Sequence, residues 1–114
     1  LFDCVWPTRL ARHGKVLTAF GDYSIRNAEH ADSTKPLEEG CSCTVCATYG
    51  RGYLRHLVMT QEPSYLRLLT IHNLTYTLGL LRDVRRSITD GEFRGFQSAT
   101  VQRRTSRKDA QGLP

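Results

Sequence analysis

No apolar run in the 114 residues approaches the roughly 18 that a membrane-spanning helix needs. The longest apolar-rich stretch, Leu66 to Ile71, is interrupted by Arg67 and Thr70, so an α-helical membrane protein is excluded and no membrane partner is expected. No basic segment followed by an apolar one opens the chain, so no secretory signal is predicted and a cytoplasmic location is the expectation. Methionine occurs once, at Met59. The sequence therefore does not begin at a translational start and reads as a fragment or processed piece. There is no internal repeat, and no second Cys-x-x-Cys knuckle of the kind a generic nucleic-acid-binding zinc ribbon requires.

What is present is the composition of a soluble globular segment, one domain's worth at most: 39% hydrophobic, 24% charged, mean hydropathy -0.41. Sixteen basic residues against eleven acidic give +5. Arg103, Arg104, Arg107 and Lys108, less Asp109, place much of that excess in the last fourteen residues. Most of the basic residues are arginine, whose planar fork suits phosphate and base edges better than the point charge of lysine. That permits nucleic-acid binding without demanding it. A basic C-terminal tail is by itself a solvated end.

Local patterning predicts a strand over Leu1 to Val5, stopped by Pro7 and followed by a polar loop to Gly14. Lys15 to Thr18 and Tyr23 to Ile25 flank Gly21-Asp22 as a hairpin. Residues 27–39 read as loop, and Ala47 to Met59 as one helix with Tyr49, Tyr53, His56 and Leu57 on a face. Gly50 and Gly52 are each expected to weaken that helix by roughly 0.5–1 kcal/mol. After Pro63, Leu74, Leu78, Leu81, Val84 and Ile88 recur at helical period, with Gly91 as the stop and Phe93 and Phe96 docking the helix end. Little order is expected beyond Thr100.

The strongest chemical signal is Cys41-Ser42-Cys43-Thr44-Val45-Cys46 with His72 downstream. Three thiolates and an imidazole make a closed tetrahedral zinc set, which serves structure and leaves no position open for water. Disulfides are the weaker reading, because a Cys41–Cys43 bond would close a very tight ring and the expected compartment is reducing. Spacing favours His72 as fourth ligand over His56, while His13 and His30 precede the cluster.

The runs Phe2-Asp3-Cys4-Val5, Pro7 to Gly14, Gly40 to Cys46, Arg51 to Leu57 and Leu68 to Leu74 together closely resemble the C-terminal part of bacterial-type tRNA-guanine transglycosylases, over Leu1 to about Phe96. The resemblance implies an α/β fold, the C-terminal part of a (β/α)8 TIM-type barrel with a zinc-binding subdomain. It implies residues 1–40 as the end of the barrel, 41–72 as the zinc subdomain and 73–100 as C-terminal helices, and the polar, basic composition of 101–114 reads as a disordered tail. It implies exchange of the wobble guanine of G-U-N anticodon tRNAs for a queuosine precursor, 7-aminomethyl-7-deazaguanine. Asp3 would be the nucleophile; without the resemblance it reads as a turn former or salt-bridge partner. Thr8, Arg9, Leu10, Ala11 and Arg12 would bind the anticodon loop, and Cys41, Cys43, Cys46 and His72 would bind one structural Zn2+. Tyr49, Tyr53 and His56 would face a second subunit of a homodimer. The second catalytic aspartate and the base pocket of the family lie upstream of Leu1, so this stretch alone is expected to be inactive, poorly soluble or reliant on zinc for order. The alternative is a non-catalytic, zinc-stabilised RNA-binding or dimerisation subunit, against which the retained Asp3 argues.

Overall fold

The computed structural model describes residues 3–110, with side chains as far as Thr105. Leu1 and Phe2, and with them the start of the expected strand, lie outside the described residues, as do residues 111–114 of the basic tail; Asp3 to Val5 form no regular element. Helix α1 (Trp6–Arg12) follows where a polar loop was expected. Pro7 explains it: at the first turn of a helix the missing N–H would have been unpaired in any case, and the fixed φ is helical already. The Thr8 hydroxyl secures the turn by donating to the Val5 carbonyl at 3.0 Å.

The expected hairpin is present in short form. Strands β1 (Lys15–Val16) and β2 (Tyr23–Ser24) pair antiparallel with Lys15 opposite Ser24 and Val16 opposite Tyr23. Gly21, at φ +112°, closes the loop between them. Beyond a 3-10 turn at Ala28–His30, the chain runs through irregular backbone to the cysteines.

The single helix expected over Ala47 to Met59 is two: α2 (Thr44–Thr48) and α3 (Arg51–Met59), with Tyr49 and Gly50 extended between them. The glycines therefore do not weaken a helix interior as expected. Gly50 is the N-cap, and a Cβ on Gly52 would lie 2.7 Å from the Ala31 carbonyl oxygen. Residues 33–35 press close enough for the N–H groups of Arg51 and Gly52 to reach the Lys35 and Ser33 carbonyls, both at 2.8 Å. Two of the orphan donors of α3 are thereby satisfied.

Helix α4 (Ser64–Thr89) starts right after Pro63 and ends before Gly91, whose φ is +70°. Its apolar stripe departs from expectation: Leu78 and Ile88 are 57% and 60% exposed, and Leu74 and Leu81 are exposed as well. The buried face is instead Leu69, His72, Asn73 and Ser87. Helices α1, α2 and α3, strand β1 and helix α5 (Phe93–Ala110) all pack on α4. Residues 100–110 thus continue a helix where little order was expected. The core joins Val16, Ile25, Leu37, Val45, Leu54, Val58 and Leu69 from ribbon, loop and helices. Among the described residues the architecture is mainly helical around one two-stranded ribbon, so the α/β barrel expected from the resemblance is not seen in this chain. None of the described helices is long and apolar enough to cross a membrane.

Candidate metal centre

Cys41 precedes α2, Cys43 is its N-cap and Cys46 lies in its first turns. This puts three sulfurs around one short helix start. The Cys46 N–H donates to Cys43 Sγ at 3.3 Å and the Cys43 N–H to Cys41 Sγ at 3.5 Å, so backbone donors turn the sulfurs inward. His72 approaches from α4. It lies in the third turn of that helix and is fully buried. Its Nδ1 is 3.6, 3.6 and 3.4 Å from the sulfurs of Cys41, Cys43 and Cys46. All four donor atoms lie within 4.8 Å of one another. For tetrahedral zinc, with Zn–S near 2.3 Å and Zn–N near 2.0–2.1 Å, the sulfur–nitrogen separation is about 3.6 Å, which the observed distances match.

The imidazole is oriented from behind. Its Nε2 lies 2.9 Å from the Leu17 carbonyl oxygen, which can only accept, so Nε2 carries the hydrogen and the lone pair on Nδ1 faces the sulfurs. Asn73, the next residue, receives the Leu17 N–H on its Oδ1 at 3.1 Å and donates from Nδ2 to the carbonyls of Pro7 and Lys15, both at 3.1 Å. Both backbone groups of Leu17 are thus held by consecutive residues of α4, which ties β1 and α1 to His72. Glu38 adds a carboxylate 3.9 Å from His72 Nε2 while accepting the Ala19 N–H at 2.9 Å.

Electrostatics favour a cation here. Burial pushes the thiols of Cys41 and Cys46 above the ordinary value, with the neighbouring Cys43 opposing a second negative charge, and burial lowers His72 so that it is neutral, the form that ligates. Three clustered thiolates need a compensating charge, which a divalent metal supplies. The arrangement can hold one four-coordinate ion with no open position for chemistry. The four cysteines among the described residues, including exposed Cys4, are free.

The other predicted residues are scattered. Asp3 is exposed ahead of α1. On α1, Ala11 is fully buried, Thr8 and Leu10 are half-buried, and Arg9 and Arg12, one turn apart, are exposed. Tyr49 and Tyr53 stack at 5.2 Å between ring centroids, with Tyr53 and His56 exposed. His56, His13 and His30 do not join the cysteines. Sequence reasoning missed Asn73 and Glu38; only the presence of a polar residue beside His72 in an apolar-rich segment could have flagged the first.

Residues 1–106 match the family model described as queuine tRNA-ribosyltransferase. A queuine tRNA-ribosyltransferase of Desulfosudis oleivorans is 48% identical over 99 residues, covering 87% of this chain and 26% of that protein. One from Janthinobacterium is 51% identical over 98 residues, 86% of this chain and 26% of its own length. One from Fusobacterium nucleatum is 45% identical over 103 residues, 90% of this chain and 28% of its own length. The chain thus spans about a quarter of the length of the relatives it matches. With a match over nearly its whole length, and with its cysteines and His72 drawn together in space, the chain belongs to the queuine tRNA-ribosyltransferase family.

Proposed function

We propose that this chain is the C-terminal part of a tRNA-guanine transglycosylase, supplying the nucleophile, an RNA-binding segment and a structural zinc site to a (β/α)8 barrel built from the remainder of the protein. The observation that carries the reading is the Cys41, Cys43, Cys46 and His72 cluster within a chain that matches the family over residues 1–106. Zinc is the metal that three sulfur donors, one imidazole nitrogen and their separations suit best. Its role is to hold α2 against α4, and with it the Leu17 and Asn73 contacts that anchor α1.

In this reading the Asp3 carboxylate attacks the ribose anomeric carbon of the wobble nucleotide. The glycosidic bond breaks, guanine leaves with its electron pair, and an ester joins the RNA to Asp3. An incoming 7-aminomethyl-7-deazaguanine then attacks the same carbon through N9, giving up its N9 proton in place of the one the departed guanine took up, and frees the carboxylate, two inversions that retain configuration. With the barrel complete, Asp3 ends a strand at the face where barrel enzymes react substrates. The target base has to leave the anticodon stack to reach it. Arg9 and Arg12, exposed one turn apart, support contact with the neighbouring phosphate or the uridine of a G-U-N anticodon. Tyr53 and His56, exposed beside Tyr49, support the face of a homodimer. A cytoplasmic location follows from the tRNA substrate.

The test is incorporation of labelled guanine into G-U-N tRNAs by the protein extended to its natural start, with Asp3→Asn alongside. Incorporation lost in the variant supports both the activity and the nucleophile. A folded, zinc-loaded protein that incorporates nothing would overturn the reading in favour of a non-catalytic RNA-binding subunit.

A further inference from the structure

Helix α5 carries one side chain that reaches three other elements. The Arg104 guanidinium pairs with the Asp22 carboxylate in the hairpin loop, lies 5.7 Å from the centroid of the Trp6 ring at the start of α1, and lies 5.4 Å from that of Tyr76 on α4. A planar cation over two aromatic rings, with a carboxylate bound by one of its nitrogens, uses the stacking and the fork that set arginine apart from lysine. The backbone is shaped for this approach. A Cβ on Gly21 would fall 2.7 Å from the Arg104 carbonyl oxygen, so only glycine, already required by its positive φ, lets α5 come so near the loop.

Trp6 lies three residues after Asp3 and three before Arg9. Trp6 opens α1, so a contact on Trp6 acts at the helix start from which the chain runs back to Asp3 and on the helix that carries exposed Arg9 and Arg12. We propose that Arg104 is a positioning residue for the Asp3 to Arg12 segment: α5 latches across the start of α1 and holds the nucleophile and the arginines in one arrangement toward the RNA. The inference rests on the transglycosylase reading above. The latch acts through Trp6 and makes no contact with Asp3, so it bears on how RNA is held rather than on the incoming base.

The experiment compares the natural-length protein with Arg104→Ala, Arg104→Lys and Gly21→Ala, the last displacing α5 without removing the guanidinium. Trp6 emission is isolated by difference against Trp6→Phe, and zinc content and melting temperature establish that each variant folds. The expected result is a red-shifted Trp6 emission in Arg104→Ala and Gly21→Ala, with the KM for tRNA raised about tenfold and the KM for guanine unchanged. Arg104→Lys, which keeps the charge and loses the plane, should fall between. Exchange kinetics unchanged in folded variants, or Trp6 emission that does not move, would overturn the latch while leaving the transglycosylase reading intact. Absence of exchange in the parent protein would instead sink that reading, and the latch's catalytic consequence with it. A uniform loss of zinc with both KM values raised alike in every variant would mean that Arg104 only holds the fold together, which also overturns the proposal.

Discussion

At the residue scale, the two positions His72 and Asn73 do different work from one helical turn. His72 turns one nitrogen to the sulfurs and the other to Leu17, so His72→Ala removes a metal ligand and leaves the Leu17 carbonyl buried and unpaired. Zinc content measured by atomic absorption is expected to fall well below one per chain in this variant and in Cys43→Ser. Asn73→Ala takes a side-chain partner from three backbone groups, the Leu17 N–H and the Pro7 and Lys15 carbonyls, which should destabilise the fold by about 3 kcal/mol with Cys41, Cys43, Cys46 and His72 themselves intact; chemical denaturation of the zinc-loaded protein measures it. The pH dependence also belongs to these residues. Because burial raises the Cys41 and Cys46 thiols, they hold protons at neutral pH without metal, and binding must displace those protons. Affinity therefore rises with pH and falls as pH drops, by up to about a thousandfold per pH unit if three protons are exchanged. His72, lowered by burial, stays neutral further into acid than an ordinary imidazole and is not the group that protons claim first. Dialysis against a fixed zinc buffer at pH 8, 7 and 6 should show the metal leaving on acidification; retention independent of pH would contradict thiolate ligation.

At the scale of elements, α3 depends on a close approach. Replacing Gly52 by alanine raises intrinsic helix propensity by nearly 1 kcal/mol, yet places a methyl group 2.7 Å from the Ala31 carbonyl. The steric term wins because the nearest atoms are backbone, the Ala31 and Ser33 carbonyl oxygens, the second of them held by the 2.8 Å bond from the Gly52 N–H. The expected outcome is a lower melting temperature for Gly52→Ala; a rise would mean that the loop yields. A similar contrast separates the elements legible in the sequence from the others. The hairpin at Gly21-Asp22, the boundary at Pro63 and the stop at Gly91 are readable because each rests on local chemistry. Helix α1 is not, because a proline after an apolar run signals both a strand end and a helix start, and only the Thr8 hydroxyl on Val5 and the burial of Ala11 decide between them. The break between α2 and α3 escapes periodicity because it follows from residues 33–35, distant in sequence.

At the scale of the whole molecule, a metal held by Cys41, Cys43, Cys46 and His72 would tie the start of α2 to α4. The core gathers around residues 65–73, and the cluster closes there, so chelation should loosen α1, the ribbon and α2 together while leaving much of the helical signal of α4 and α5. Near-ultraviolet circular dichroism should collapse on addition of a strong chelator before the far-ultraviolet signal does. An unchanged near-ultraviolet spectrum in verified zinc-free protein would show that the core needs no metal. The leucines at 74, 78 and 81 lie on faces of α4 that this core does not cover.

The cysteine cluster and the family are written in the chain itself, because close Cys spacing and several motifs in register need no folding to be read. His72 is favoured by spacing and chosen by resemblance. Why His72 serves is a matter of packing in three dimensions: its tautomer is set by Leu17, 55 residues away along the chain. The fold likewise decides which leucines of α4 are buried and where Arg104 lands. Helical period names a face, but the partners that folding brings within reach determine whether that face is covered.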